Sequence, residues 1–247
     1  MYVSVDTLPE LTPEYQQAQQ QAVRDAKVVY QFEVVKVSPT DYGTIFMWSL
    51  FGLGSLWLVW DALSDGFLGA LLLLIFSGGI LTYFYYAGNP DVKQTVTLTE
   101  KGMIVSDLQL VPEACFAALR YSGYVGIAIS VVGVVLVGPM MFIGAGAGLL
   151  MSFKMAGVEN RPKTRVRPFH PDIEYVMADN LCAKFKNDLT LRRVVPRIEL
   201  ENDGGCKDEL FSRNKEFYFL TYASTEQQQD EIMRHLKKFI NVEKGDY

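Results

Sequence analysis

The chain has 247 residues and a mass of 27.8 kDa, with 49% hydrophobic and 21% charged residues. This composition excludes an intrinsically disordered, collagen-like or disulfide-stabilised protein, and a net charge of −5 argues against a nucleic-acid-binding protein. The charge is unevenly distributed, because Tyr42–Phe153 contains nine charged residues and Lys154–Tyr247 contains 17 basic and 16 acidic ones. Such asymmetry is typical of a membrane segment joined to a water-exposed segment.

Residues 1–42 are predicted to be a water-exposed helix and strand. Met1–Glu10 contains two carboxylates and no apolar core, so we expect no cleavable signal peptide. Thr12 and Pro13 are typical residues for the N-cap and first turn of a helix. Tyr30–Val37 is rich in residues that favour strands.

Residues 43–88 are predicted to be a transmembrane helical hairpin. Gly43–Trp60 and Gly66–Gly88 contain no charged residue. As helices they would extend over roughly 27 and 34 Å, close to a hydrocarbon core of about 30 Å. The link Asp61–Asp65 is short, so the two helices must be antiparallel. It contains no Lys or Arg, which predicts that it lies on the outer side of the membrane and that the N-terminus is cytoplasmic.

Residues 89–120 are predicted to be a cytoplasmic β segment with strands at Gln94–Leu98 and Met103–Leu108. The third membrane segment, 121–153, allows two arrangements. It contains Gly138-Pro139 near its middle, where proline interrupts a helix, so it is either one long kinked span or a re-entrant pair of half-helices. The basic residues after the segment favour the re-entrant form, because they prefer the cytoplasmic side.

Residues 154–247 are predicted to be an α+β domain. The candidate strands are Glu174–Met177, Leu181–Phe185, Arg193–Leu200 and Glu216–Tyr222, and the clearest turn is Asn202–Gly205. A closing amphipathic helix is expected to start at Ser224, with Gln227 completing a capping box. The predicted fold class is thus a membrane protein with a helical hairpin, a third apolar segment and a small α+β domain.

Small residues recur at intervals of four in the third segment, where helix backbones could approach closely. We predict a partner-binding face within the bilayer, formed by Ser122, Gly126, Ser130, Gly144 and Gly148. The alternative is that these residues pack against the protein's own first hairpin.

Four basic residues recur at intervals of two directly after the third segment: Arg161, Lys163, Arg165 and Arg167. In an extended chain their side chains share a face. We predict that this face binds anionic lipid head groups, which contribute about 1 kcal/mol per basic residue. The alternative is a topogenic signal without a specific lipid.

Motifs for catalysis or cofactor binding are missing from the sequence. His170 and His235 have no partner at metal-ligand spacing, and the three cysteines form no CxxC pair. No GxSxG, HExxH or phosphate-binding loop occurs. The predicted spans also contain no ionisable residue, which argues against ion-coupled transport. We therefore expect a non-enzymatic protein without cofactor or metal.

The membrane hairpin followed by TVTLTEKGMIVSD, EFYFLTY and a closing helix resembles membrane-anchored bacterial PH-like (YcxB-like) proteins. The resemblance covers Gly43–Asp107 and Glu216–Ile240, and the apolar insertion 121–153 departs from that family. It implies a small β-barrel capped by a helix, acting as a scaffold that binds anionic lipid or a membrane complex component.

The architecture as a whole resembles inner-membrane immunity proteins that protect bacteria from pore-forming effectors, including those delivered by type VI secretion. This resemblance implies binding to a toxin in or at the bilayer of the inner membrane, with lipids as further partners. It is the leading hypothesis for function, and the PH-like scaffold is the alternative. A homo-oligomer is also compatible with the sequence.

Overall fold

The computed structural model describes residues 12–138, 141–171, 173–182, 185–196 and 218–244. The chain divides into two compact units. One, which we call the sheet unit, is formed by Met1–Pro39, Val92–Leu108 and Pro162–Tyr247. The other, which we call the helical unit, is formed by Thr40–Asp91 and Gln109–Arg161. The chain therefore alternates between the two units, and each unit is assembled from segments distant in sequence.

Within the described residues, the sheet unit contains two helices and two four-stranded sheets. Its elements are α1 (Pro13–Arg24), β1 (Val28–Lys36), β2 (Val92–Thr99), β3 (Gly102–Gln109), β4 (Lys163–Pro168), β5 (Glu174–Cys182), β6 (Thr190–Pro196), β7 (Phe219–Ala223), α6 (Glu226–Leu236) and β8 (Asn241–Lys244). Sheet 1 has the order β1-β2-β3-β4, and sheet 2 has the order β7-β6-β5-β8. The strand β8 pairs with β5 in parallel, whereas β5–β6 and β6–β7 are antiparallel.

Both sheets and α6 contribute to one hydrophobic core. Sheet 1 provides Phe32 and Leu98, sheet 2 provides Tyr175 and Phe219, and α6 provides Leu236. All five side chains are buried, which removes a large apolar area from water and stabilises the unit. The helix α1 packs against β4 at the edge of sheet 1.

Several predicted elements of the sheet unit are confirmed. The Thr12 hydroxyl accepts a hydrogen bond from the Tyr15 N–H at 3.2 Å and caps α1. The strands predicted at 30–37, 94–98 and 103–108 correspond to β1, β2 and β3 with slightly wider bounds.

The expected cap of the closing helix was one residue early. Thr225, and not Ser224, is the N-cap of α6, because its hydroxyl accepts from the Gln228 N–H at 3.2 Å. The Gln228 side chain in turn accepts from the Ser224 N–H at 3.0 Å. Gln228 therefore takes the place expected for Gln227, but its side chain bonds the N–H of the residue before the cap and not that of the cap itself.

Predictions for the remaining strands were partly wrong. Leu181–Phe185 is not a separate strand, since β5 continues to Cys182 across a register shift between Ala178 and Leu181. The predictions at Asn202–Gly205 and at residues 197–200 lie outside the described residues. The strands β4 and β8 were not predicted.

The helical unit contains α2 (Tyr42–Asp65), α3 (Phe67–Ala87), α4 (Glu113–Val137) and α5 (Met141–Ala156). The predicted hairpin is present, because the rings of Trp48 in α2 and Phe84 in α3 stack with centroids 4.0 Å apart. The Asp61–Asp65 link, however, is helical and not a loop. The reversal occurs at Gly66, whose φ of 153° is a conformation that favours glycine.

The third apolar segment is a pair of antiparallel helices and not one kinked helix. A Cβ placed on Gly123 of α4 would meet the backbone of Ala156 near the end of α5, and one on Gly126 would meet Ser152. The chain therefore turns back between Val137 and Met141. The segment also starts earlier than predicted, since residues 113–120, expected to be part of a cytoplasmic β segment, are the first turns of α4.

Candidate partner-binding and lipid-binding surfaces

Large apolar side chains cover the outside of the helical unit. Three helices are long and apolar enough to cross a membrane: Tyr42–Ser64, Phe67–Ala87 and Glu113–Leu136. Almost none of their residues is buried within the protein, and Trp57, Leu72 and Val135 are each at least 60% exposed. Apolar patches of this size normally mark an interaction with a membrane or another protein.

Polar side chains within these helices bond to their own backbone. Ser49, Ser55 and Ser77 each donate to the carbonyl four residues earlier at 2.7–2.8 Å. In α4, Arg120 near the start of the helix pairs with Glu113 and donates to the Val158 carbonyl at 3.2 Å. Among the described residues of the helical unit, the polar groups thus satisfy one another and leave an apolar outer surface.

Two glycines of α4 allow α5 to approach closely. An added Cβ on Gly123 would lie 2.6 Å from the Ala156 nitrogen and 2.7 Å from the Ser152 carbonyl oxygen. An added Cβ on Gly126 would overlap the Ser152 hydroxyl. Gly126 of the predicted face therefore packs inside the α4–α5 pair. Gly123 belongs to this contact and was missed, because it falls outside the four-residue repeat chosen from the sequence.

The other predicted residues of the small-residue face have different surroundings. Ser122 is exposed and donates to the Leu119 carbonyl, and the Ser130 hydroxyl donates to the Gly126 carbonyl at 2.7 Å. At Gly148 on α5, an added Cβ would have nothing within 4 Å. Gly144 also belongs to α5, but its surroundings lie outside the described residues. The predicted face is thus divided between an internal contact and an open surface, and its role in partner binding stays a prediction.

The four basic residues predicted to bind lipid are also divided. Arg161 belongs to the helical unit and pairs with Glu159 at 2.9 Å. Lys163, Arg165 and Arg167 lie on β4, where they share one face as predicted. Lys163 and Arg165 are exposed, whereas Arg167 is buried and its guanidinium donates to the Tyr218 carbonyl. Arg167 is therefore not part of an exposed basic face.

The strand register aligns these basic side chains with residues that the sequence analysis did not single out. Lys163 is opposite Asp107 of β3, and Arg165 is opposite Val105. The Asp107 carboxylate accepts from the Gln94 amide at 2.7 Å and lies 3.8 Å from the Lys36 ammonium. Lys36, Gln94 and Asp107 come from three different strands. No spacing in the sequence connects them, although each interrupts an otherwise apolar strand face.

Lys36 sits in an unusually enclosed position for a cation. Its ammonium lies 4.0 Å from the centre of the Tyr222 ring, and its side chain is 12% exposed. Burial lowers the pKa of Lys36, the Asp107 carboxylate opposes that shift, and Arg165 and Arg167 lower the pKa further by repulsion. The site therefore carries more positive charge than its single carboxylate neutralises.

The described residues contain no group of three or more His, Cys, Asp or Glu side chains that could hold a metal ion. His235 stacks on the Tyr30 ring with centroids 4.7 Å apart, which is a packing contact within the sheet unit. Cys115 is a buried free cysteine.

Comparison with known proteins identifies relatives of this chain. A family model described as TsiV2 immunity protein matches residues 14–185. The chain is 32% identical over 99 residues to the Immunity protein TsiV2 of Vibrio cholerae serotype O1, a match that covers 39% of this chain and 36% of that protein. No solved structure matches. The family match, which runs from α1 to the end of β5, confirms the predicted resemblance to immunity proteins.

Proposed function

Because the chain belongs to the TsiV2 immunity protein family, we propose that it is a non-enzymatic inner-membrane immunity factor against a pore-forming toxin delivered by type VI secretion. It acts by binding the toxin in or at the bilayer. The observation that carries this proposal is the exposed apolar surface of three helices, each of membrane-spanning length. A protein embedded in the bilayer can bind the apolar helices of a pore-forming toxin before those helices assemble into a pore, because both proteins lie in the same lipid phase.

The order of strands in sheet 1 supports a specific topology. β1 precedes the α2–α3 pair, β2 and β3 lie between the two helix pairs, and β4 follows α5, yet all four strands are neighbours in one sheet. Hydrogen-bonded strands cannot lie on opposite sides of a bilayer, because their backbone groups must be paired directly. Each helix pair therefore returns the chain to the side from which it left.

The distribution of basic residues gives the orientation of this arrangement. The reversal between α2 and α3 contains no Lys or Arg, whereas Lys154 and Arg161 flank the end of α5. Basic residues near membrane exits favour the cytoplasm. We infer that the sheet unit is cytoplasmic and that the reversal at Gly66 is periplasmic.

Cysteine labelling in intact cells tests this topology. We expect Ser64→Cys, next to the periplasmic reversal, to react with a membrane-impermeant maleimide. We expect Ser224→Cys, exposed in the sheet unit, to react only after lysis. The unsubstituted protein is the control, because its own cysteines then lie on the cytoplasmic side or are buried. Labelling of Ser224→Cys in intact cells beyond that of the control would contradict the topology.

Co-expression with the cognate toxin tests the function itself. Cells that produce the toxin alone are expected to lose their membrane potential, measured with a potential-sensitive dye, and co-expression of this protein is expected to prevent the loss. A matched strain with an unrelated two-helix membrane protein controls for effects of membrane crowding. Depolarisation that is undiminished by this protein would reject a pore-forming target.

The PH-like scaffold is favoured by one observation, the exposed basic residues of β4. The resemblance implied a small β-barrel capped by a helix, whereas the described strands form two separate four-stranded sheets. An immunity factor could also contact lipid through its sheet unit. The immunity factor and the PH-like scaffold therefore differ in whether this lipid contact is required for protection against the toxin.

A further inference from the structure

The face of sheet 1 that contributes to the hydrophobic core is apolar at one end and charged at the other. We call the charged part of this face the charged end; its residues are Lys36, Asp107, Lys163, Arg165, Arg167 and Tyr222. Antiparallel partners share a face, and the register places Lys163 opposite Asp107 and Arg165 opposite Val105. Tyr222 joins from sheet 2 through its contact with Lys36.

Among the described residues, the charged end has more cations than carboxylates. Apart from Arg167, which is bonded within the sheet unit, it contains three cations and one carboxylate, and that carboxylate is already engaged by Gln94 and Lys36. Like charges held side by side repel one another, and an anion bound between them offsets that repulsion.

The strands of sheet 1 connect to the apolar helices at this same end. Lys36 at the end of β1 pairs with Val92 at the start of β2, and Asp107 near the end of β3 pairs with Lys163 at the start of β4. Four to six residues separate each of these strand ends from α2, α3, α4 or α5. A linker of six residues, with seven Cα–Cα steps, spans at most about 25 Å. Chain connectivity alone therefore limits the distance of the charged end from the ends of these helices to about 25 Å.

We propose that the charged end is a binding site for the phosphate of an anionic phospholipid, with Lys163 and Arg165 as the exposed contacts. Lys36 and Arg167 act as buried cations that raise the potential there, and Asp107 holds Lys36 in position. A zwitterionic lipid would leave the excess charge unbalanced, so the site selects a net negative head group. An acidic segment of a partner protein carries similar charge, but it lacks the connection to the helices that favours lipid.

Native mass spectrometry of the full chain in detergent, titrated with phosphatidylglycerol or phosphatidylcholine, tests this site. We expect the wild type to prefer phosphatidylglycerol, and the double variant K163Q/R165Q to bind it about 25-fold more weakly, since each basic residue contributes roughly fivefold. The matched control is K27Q/K101Q, which removes the same charge at the opposite end of the same sheet. The control is expected to bind within about twofold of the wild type, because a charge outside the site contributes little to head-group binding.

Three results would overturn the proposal: equal affinity of K163Q/R165Q and wild type, an equal loss in K27Q/K101Q, or binding of polyglutamate in preference to phosphatidylglycerol. Because Lys163 and Arg165 are exposed, we expect the circular-dichroism melting curves of all variants to coincide. If K163Q/R165Q unfolds, the proposal is tested on the wild type instead. Its preference for phosphatidylglycerol over phosphatidylcholine is expected to disappear in 1 M salt, and a preference that persists would overturn the proposal.

This inference rests on the membrane insertion proposed above and not on the identity of the toxin. Carbonate extraction of the same cells measures insertion separately. Extractable protein would reject insertion, whereas inserted protein without lipid preference would reject only the phosphate site.

Discussion

Replacing Gly148 with Ile is expected to abolish protection against the toxin and to leave the fold unchanged. An added Cβ at this position has nothing within 4 Å, so the substitution creates no clash inside the protein. In a helix–helix interface, however, a branched side chain keeps the partner backbone away. Overpacking costs about 1–3 kcal/mol, which corresponds to roughly 5- to 150-fold weaker binding. Membrane potential of toxin-producing cells, with the variant co-expressed, measures the effect.

Gly54→Ile is the matched control for this variant. Gly54 lies on α2, and an added Cβ there also has nothing within 4 Å. Equal expression, extraction and melting behaviour of the two variants would show that both are folded. Full protection by Gly148→Ile would remove this glycine from the partner-binding face, and loss of protection by both variants would show that the effect is not specific to α5. Gly144→Ile, four residues earlier, is expected to act as Gly148→Ile does.

The helical hairpin could be predicted because a charge-free stretch as long as a membrane span is found in few other kinds of structure. The ends of the helices could not be predicted in this way. Helix α2 continues through Asp61 to Asp65, and α4 begins at Glu113, because backbone hydrogen bonding does not stop where the apolar residues stop. The charge-free length indicates the part of a helix that suits the hydrocarbon, and local conformation such as that of Gly66 determines where the helix ends.

The third segment was left with two alternatives because its sequence satisfies both. Gly138-Pro139 permits either a kink or a turn, and only the packing of α5 on Gly123 and Gly126 distinguishes them. The basic residues illustrate a similar limit. Their alternation predicted a common face on β4, but it could not reveal that Arg167 is buried. The burial of Arg167 depends on β7 and its neighbours, which lie about 50 residues later in the sequence.

Only the β4 residues of the charged end were predicted as a lipid-binding face, because the other residues are brought to them only by the sheet. Lys36, Asp107 and Tyr222 are far apart in sequence, and each resembles an ordinary surface residue when considered alone. A signal is present in retrospect, since Lys36 and Asp107 are the positions where apolar alternation in β1 and β3 gives way to charge. Recognising it requires the register, which alternation within one strand does not provide.

Replacing Gly123 with Ala is expected to separate α4 from α5 and to destabilise the protein more than any substitution at an open glycine. The added methyl group would meet backbone atoms of Ser152 and Ala156 at 2.6–3.1 Å, and backbone atoms cannot rotate away as side-chain atoms can. We expect a loss of about 2–3 kcal/mol from this overpacking. In protein purified in detergent, the loss is measured as a lower melting temperature relative to the wild type.

Gly126→Ala is the matched comparison for Gly123→Ala, because the atoms that an added Cβ would meet at Gly126 belong to a side chain and not to the backbone. An added Cβ there would overlap the Ser152 hydroxyl and approach its Cβ at 3.1 Å. Gly126→Ala is therefore expected to be destabilising, and removal of the obstructing side chain by Ser152→Gly is expected to restore much of the stability. The same Ser152→Gly change cannot rescue Gly123→Ala, since the atoms that obstruct that position belong to the backbone. Rescue of both variants, or of neither, would contradict the close antiparallel packing of α4 and α5, and with it the proposed return of the chain to the side of the membrane from which it left.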